Sequence, residues 1–213
     1  MTDFADFPAK PPATRREKER LAHRNAILDA AERIFADRGF AGATIADIAR
    51  AAEFAVGSIY NFFPGKRELA EAVMLRIATE RVQEVLDLAL PVAEDPDRAL
   101  PTLAGSWVRH HAAHGAFLRM GIDHHRRMAK GARKEPPKVF RELAGKYRAA
   151  CEAFFEKGLR RGFYRPLPAA DLVLAYEGVC HECLFAWERG GREGGVEALE
   201  RRTLSILTEL LRK

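Results

Sequence analysis

The forty residues from Ile27 to Lys66, ILDAAERIFADRGFAGATIADIARAAEFAVGSIYNFFPGK, hold three short helical patterns and two tight breaks. The first pattern places Leu21, Ile27, Leu28, Ala31, Ile34 and Phe35 on one face at three- and four-residue spacing and is predicted to stop at Gly39. Thr44 is then positioned to cap a second short helix, with Asp47 supplying a carboxylate of capping-box type and Ile45, Ile48 and Ala49 facing inward. A break at Glu53-Phe54 leads into a third helix from Ala55 to Phe62 or Phe63. Val56, Ile59 and Phe63 close a miniature core with Phe35 and Phe40, and Pro64-Gly65 ends the helix sharply. This size and rhythm are those of a helix-turn-helix, a unit that presents one short helix to a DNA groove.

The rest of the chain is long enough to need its own explanation. With 213 residues and 47% hydrophobic content it can bury a sizeable core in one large or two modest domains. No apolar run is long enough to cross a bilayer, and MTDFADFPAKPPATRREKER has no signal-peptide core, so no membrane partner and a cytoplasmic location are expected. Three cysteines make no disulfide framework, and reduced thiols are the simpler reading. A net charge of +5 permits a polyanionic partner, and its placement says more. Residues 1–14, with Pro8, Pro11 and Pro12, read as a disordered lead. From Lys10 to Arg24 six basic residues face two acidic ones, a basic arm ahead of the first helix that is either solvated or laid on phosphate.

The ordered set Ile27-Leu28-x-x-Ala31, Phe35, Gly39-Phe40, Thr44-Ile45-x-x-Ile48-Ala49 and Gly57-Ser58-Ile59-Tyr60-x-x-Phe63-x-x-Lys66 resembles the DNA-binding domain of the tetracycline-repressor (TetR) family of bacterial regulators. Two positions depart from that pattern. Glu53 stands where the family usually has glycine in the turn, at a cost for a left-handed backbone, and Val56 stands where a basic or polar residue is common. Gly57 permits close approach to the phosphate backbone, while Ser58, Tyr60 and Asn61 present a hydroxyl, a phenol and an amide to phosphates or base edges. The resemblance implies phosphate contacts from Tyr60 and Thr44 and a role for Lys66 at the start of the fourth helix. Asn61 is the candidate base reader, with Ala55 and Val56 able to meet a thymine methyl.

Beyond Lys66 the chain reads as an all-α body, giving about nine helices in total and three segments: 1–14, a DNA-binding domain over 15–66, and a ligand-binding and dimerisation domain over 67–213. The expected helices run from Glu68 to Leu90, from Pro96 to about His114, from Phe117 to Met128, from Lys138 to Gly162, from Pro168 to Arg189 and from Gly195 to Leu211. A charged loop lies at Lys130–Pro137. The last two helices are apolar on more than one face, which calls for more than one packing partner, and the resemblance implies a homodimer formed through them. Trp107, His110, Phe117, Met120, His124, Tyr147, Phe154, Tyr176 and Cys180 are candidates to line a cavity for a small apolar or aromatic effector, or are simply core.

The histidines and cysteines open a second reading. His110 and His114, four residues apart, have the spacing to bite one metal, and Cys180-His181-Glu182-Cys183 adds thiols, which would make a metal- or thiol-responsive regulator. Against this, Cys180 and Cys183 fall on an apolar stripe, so no metal or cofactor is assigned. No phosphate loop, nucleophile elbow or carboxylate pair anchors a reaction, so the chain is not expected to be an enzyme. The sequence therefore points to a repressor that binds a double-stranded DNA operator of near-palindromic sequence as a dimer and is released by a small molecule. An architectural DNA binder without an effector is the simpler rival.

Overall fold

A computed structural model describes residues 14–129 and 137–213, and the side chains of all of these except 116–129. Residues 1–13 of the expected N-terminal lead and most of the Lys130–Pro137 loop lie outside the described residues, while Thr14, the last residue of that lead, caps α1. Eight α-helices follow one another: α1 (Arg15–Gly42), α2 (Ile45–Ala51), α3 (Val56–Tyr60), α4 (Lys66–Glu84), α5 (Ala99–Ala129), α6 (Lys138–Arg160), α7 (Ala169–Arg189) and α8 (Gly195–Leu211). No strand occurs among the described residues, only an isolated bridge between Tyr164 and Arg212. The chain divides into two compact units, 1–73 and 74–213, the division falling inside α4.

In the first unit, α1 begins earlier than its apolar face demands. Thr14 and Glu17 form a complete capping box, so Arg15–Arg24 are the opening turns of α1 and not an arm ahead of it. Gly39 at φ +68° interrupts the helix where the sequence places its stop. Thr44 caps α2, its Oγ1 accepting from the Asp47 N–H at 3.1 Å. Two backbone bonds close the far end of α2, from Glu53 N–H to the Arg50 carbonyl and from Phe54 N–H to the Ala49 carbonyl, with Glu53 left-handed at φ +60°. That is the Schellman arrangement, in which glycine is the usual occupant. α3 is shorter than expected because Asn61 and Phe62 bond three residues back, to Ser58 and Ile59, tightening the chain ahead of Pro64. Ile27, Leu28, Phe35, Ile48, Ile59, Phe63, Leu69 and Val73 fill the core, each at most 3% exposed.

The second unit starts with the remainder of α4. Instead of running to Leu90, α4 gives way to a π turn, Val85–Ala89, and a 3-10 turn, Leu90–Val92. Leu90 N–H reaches back five residues to the Val85 carbonyl. Pro91 explains this, since its ring cannot donate and crowds the carbonyl four residues earlier. Asp95 Oδ1 accepts from the N–H groups of Asp97 and Arg98 and so initiates α5. The two helices expected over Pro96–His114 and Phe117–Met128 are one, so that eight α-helices, against about nine expected, occur among the described residues. Gly115 does not break it, because one glycine costs a helix only about 1 kcal/mol and no proline follows. α5 packs on α8, α8 on α7, and α7 on α6 around Trp107, Phe154, Phe155, Leu172 and Tyr176.

The left-handed glutamate generates the first prediction. Glu53→Gly is expected to raise unfolding stability by about 1 kcal/mol, the cost of αL for a residue with a β-carbon. The readout is a higher urea midpoint at unchanged slope for the N-terminal transition, and an unmoved midpoint would count against strain at this turn.

Candidate nucleic-acid interface and a buried polar core

α3 turns Ile59 inward at 0% exposed, and Phe63 follows at 3%, which leaves the opposite face to solvent. That face carries Ala55, Val56, Gly57, Tyr60 and Asn61, with Ser58 half-buried at its edge. Val56 is 43% and Tyr60 52% exposed, so neither is a core residue. An added Cβ at Gly57 would meet nothing within 4 Å. Glycine here is not demanded by the fold, and it leaves the outer surface flat. Six of the eight expected DNA-contacting residues thus share one short helix and its flanks.

Thr44 and Lys66 lie at the neighbouring helix starts. Thr44 Oγ1 donates to Asp47 Oδ2 at 2.7 Å, while Arg38 Nη1 lies 3.1 Å from the same carboxylate. The Thr44 hydroxyl, and then Arg38, hold the Asp47 carboxyl below its usual range. Lys66 Nζ donates to the carbonyls of Phe40 at 2.7 Å and Ala43 at 2.9 Å and sits over the Phe40 ring. Its ammonium therefore joins the start of α4 to the turn before α2, with one of its three N–H groups outside those two bonds. Behind α3, Arg24 lies over the Phe63 ring.

The effector candidates of the second unit do not behave alike. Trp107, His110, Tyr176 and Cys180 are buried and converge on one region of α5 and α7, with half-buried Tyr147 entering from α6. Phe154 belongs instead to an aromatic cluster with Phe155 and Tyr164. The side chains of Phe117, Met120 and His124 lie outside the described residues.

At the centre of the convergent group stands a residue the sequence reading passed over, Arg81 of α4, only 5% exposed. Its Nη1 donates to Glu84 Oε2 at 2.9 Å and Ser106 Oγ at 3.0 Å, and its Nη2 to Tyr176 Oη at 3.3 Å. Tyr176 Oη in turn donates to the Leu103 carbonyl at 3.1 Å. Glu84 Oε1 lies 3.2 Å from His110 Nδ1. Burial works against the Arg81 charge, but the surrounding Tyr176, Tyr147 and Glu84 outweigh it, so the guanidinium stays ionised. Burial likewise pushes Glu84 up, and its bonds to His110 and Arg81 more than offset this, leaving it below its usual value. A sequence signal for Arg81 existed: Leu69, Val73 and Ile77 of α4 and Val85 just after it recur on a four-residue step, and Arg81 occupies the step where the next apolar residue belongs.

Around this network the histidines are structural. His111 stacks on Trp107 at 3.7 Å between centroids and gives its Nδ1 proton to the Trp107 carbonyl at 2.9 Å, and His181 does the same to the Glu177 carbonyl at 2.8 Å. Desolvation lowers the His111 pKa to about 3, so the ring is neutral. The metal-responsive alternative finds no support among the described residues. His110 and His114 turn toward Glu84 and Glu80, and among the described residues no three His, Cys, Asp or Glu side chains gather to hold a metal. Burial raises the Cys151 thiol to about 12 and the Cys180 thiol higher still, so both remain protonated and unreactive.

Residues 27–73 match the family described as bacterial regulatory proteins, tetR family. The chain is 36% identical over 87 residues to the transcriptional repressor KstR2 of Mycolicibacterium smegmatis, covering 39% of this chain and 38% of that protein. It is 28% identical over 142 residues to the transcriptional repressor NicS of Pseudomonas putida, covering 67% of this chain and 66% of the relative. The chain thus spans under two-fifths of the length of the first of these relatives. A crystal structure of a TetR-family regulator from Mesorhizobium loti shares the fold at a TM-score of 0.67 and 18% identity, covering 91% of this chain and 98% of its own. No helix among the described residues is long and apolar enough to cross a membrane.

The neutral His111 sets a pH dependence. Its folded pKa, about 3, lies below the ordinary 6.5, so above pH 6.5 the ring is neutral in both states and contributes no slope. Below that point the unfolded chain takes up a proton that the folded one refuses, and stability is expected to fall by up to about 1.4 kcal/mol per pH unit. His111→Phe, which keeps the stacking on Trp107, should flatten the stability profile between pH 6 and 4 by the equivalent of one proton, measured by urea unfolding across that range. An unchanged slope would show that His111 titrates normally.

Proposed function

We propose that the chain is a ligand-responsive transcriptional repressor of the tetracycline-repressor (TetR) family, whose N-terminal family model its residues 27–73 match. The observation that carries this reading is the outward face of α3, where Val56, Tyr60 and Asn61 stand exposed over a core closed by Ile59 and Phe63. In the reading proposed, Tyr60, Ser58, Thr44 and the remaining Lys66 donor meet phosphates, Asn61 reads a base edge, Gly57 allows close approach, and Ala55 and Val56 meet thymine methyls. The relatives named as repressors support blocking a promoter over activating one.

A five-residue reading helix has few contacts to offer, and a second copy doubles them. We assign that pairing to α7 and α8. Their inward residues Leu172, Tyr176, Cys180, Leu199, Leu207 and Leu211 are used up within the protomer, yet Leu174 stays 67% and Leu210 50% exposed, beside half-buried Phe185, Val196, Leu204 and Ile206. Two reading helices held about 34 to 36 Å apart by such a dimer demand a near-palindromic operator. A small apolar or aromatic molecule bound in the second unit then opposes DNA binding through a shared two-state equilibrium. α4, which runs from one unit into the other, is the covalent route between them.

Footprinting the DNA upstream of the protein's own gene tests the reading. A protected near-palindrome is expected, with the protein dimeric by light scattering, and a footprint no stronger than that on random duplex would overturn it. Tyr60→Ala should weaken binding to all sequences alike. Asn61→Ala should cost about 1–3 kcal/mol of discrimination at one base position in each half-site, seen as a relaxed preference in competition against single-base operator variants.

A further inference from the structure

Buried donors in folded proteins are paired, so an unpaired one inside a polar cluster asks for an explanation. Two occur together in the second unit. Arg81 Nε and Tyr147 Oη are both closed off from solvent without a well-formed hydrogen bond, although the Tyr147 hydroxyl lies close to Arg81 and to the Cys151 thiol, and Arg81 Cζ lies 5.6 Å from the Tyr147 ring centre. The bonds Arg81 does make leave one edge of the guanidinium over. Nη1 serves Glu84 and Ser106, and Nη2 gives a single long bond to Tyr176. What remains is the Nε–H and one of the two Nη2 N–H groups, neighbouring donors on a planar fork of the size that matches a carboxylate. Burial keeps Tyr147 protonated and able to donate, and the Cys151 thiol beside it is a poor partner.

We propose that this edge of Arg81, with the Tyr147 hydroxyl, receives the carboxylate of the effector, an organic acid with an apolar or aromatic body. The inference rests on the reading of the second unit as the effector domain and adds the head group that this domain selects. Glu84 does not pre-empt the site, because it meets Arg81 through one oxygen on the far side and turns its other oxygen to His110.

The test follows the ¹⁵Nε–H resonance of Arg81 in the full chain, assigned with Arg81→Lys, during titration with benzoate, phenylacetate and octanoate and with their amides. At least one acid is expected to shift the resonance saturably while its amide binds at least about tenfold more weakly. Tyr147→Phe, checked by thermal melting, should weaken that acid about tenfold, the worth of one hydrogen bond to a charged group. A resonance that no acid moves, equal shifts from acids and amides, or an unaffected Tyr147→Phe would each overturn the assignment. The same compounds and a set of neutral aromatic molecules, added to the footprinted complex, separate the two levels of the argument. Release by a neutral compound with Arg81 unmoved overturns the carboxylate alone, and release by nothing overturns the effector reading with it.

Discussion

A guanidinium leaves water only where most of its N–H groups find partners, and in the second unit that requirement organises the meeting of α4, α5 and α7. Arg81 cannot shed its proton, so burying it forces Ser106, Glu84 and Tyr176 into place, and Tyr176 passes the constraint on to the Leu103 carbonyl. Glu84 extends it to His110. Removing any one partner leaves a buried charge short of a bond, which costs far more than the bond itself contributes when made. The apolar residues of the same core set its volume, whereas this network sets which turn of α4 faces which turn of α5.

Immediately after that fixed point the backbone widens into the π turn. The sequence of events along the chain is informative: a polar anchor at residues 81 and 84, a loosened turn at 85–89, then Pro91. The helix is held rigidly at its end and released at once, so the path to α5 is decided by the proline and not by the anchor.

Much of this was legible in the sequence. Gly39 breaks the regular path of α1, Thr44 caps α2, and Ile59 and Phe63 turn inward, because capping, positive φ and helical period are local rules that little in the tertiary structure overrides. The same rules missed where competing local signals were weak. Gly115 looked like a boundary and is passed over by a continuous α5, and the basic run at Arg15–Arg24 read as an arm although Thr14 and Glu17 make it helix. Arg81 was hidden for a different reason. Charged residues on helices are normally read as solvent-facing, and only its phase on the apolar stripe gives it away, while its partners Ser106 and Tyr176 lie 25 and 95 residues distant.

Lys66 merits a last consideration. An ammonium that bridges the Phe40 and Ala43 carbonyls is a bolt through the head as well as a positive charge at its rim. Any change there alters two properties together, how firmly the start of α4 is seated on the turn before α2 and how much positive charge the head carries at that point. A substitution at this position therefore cannot reset the charge without also loosening the seat, and the two come apart only at another side chain.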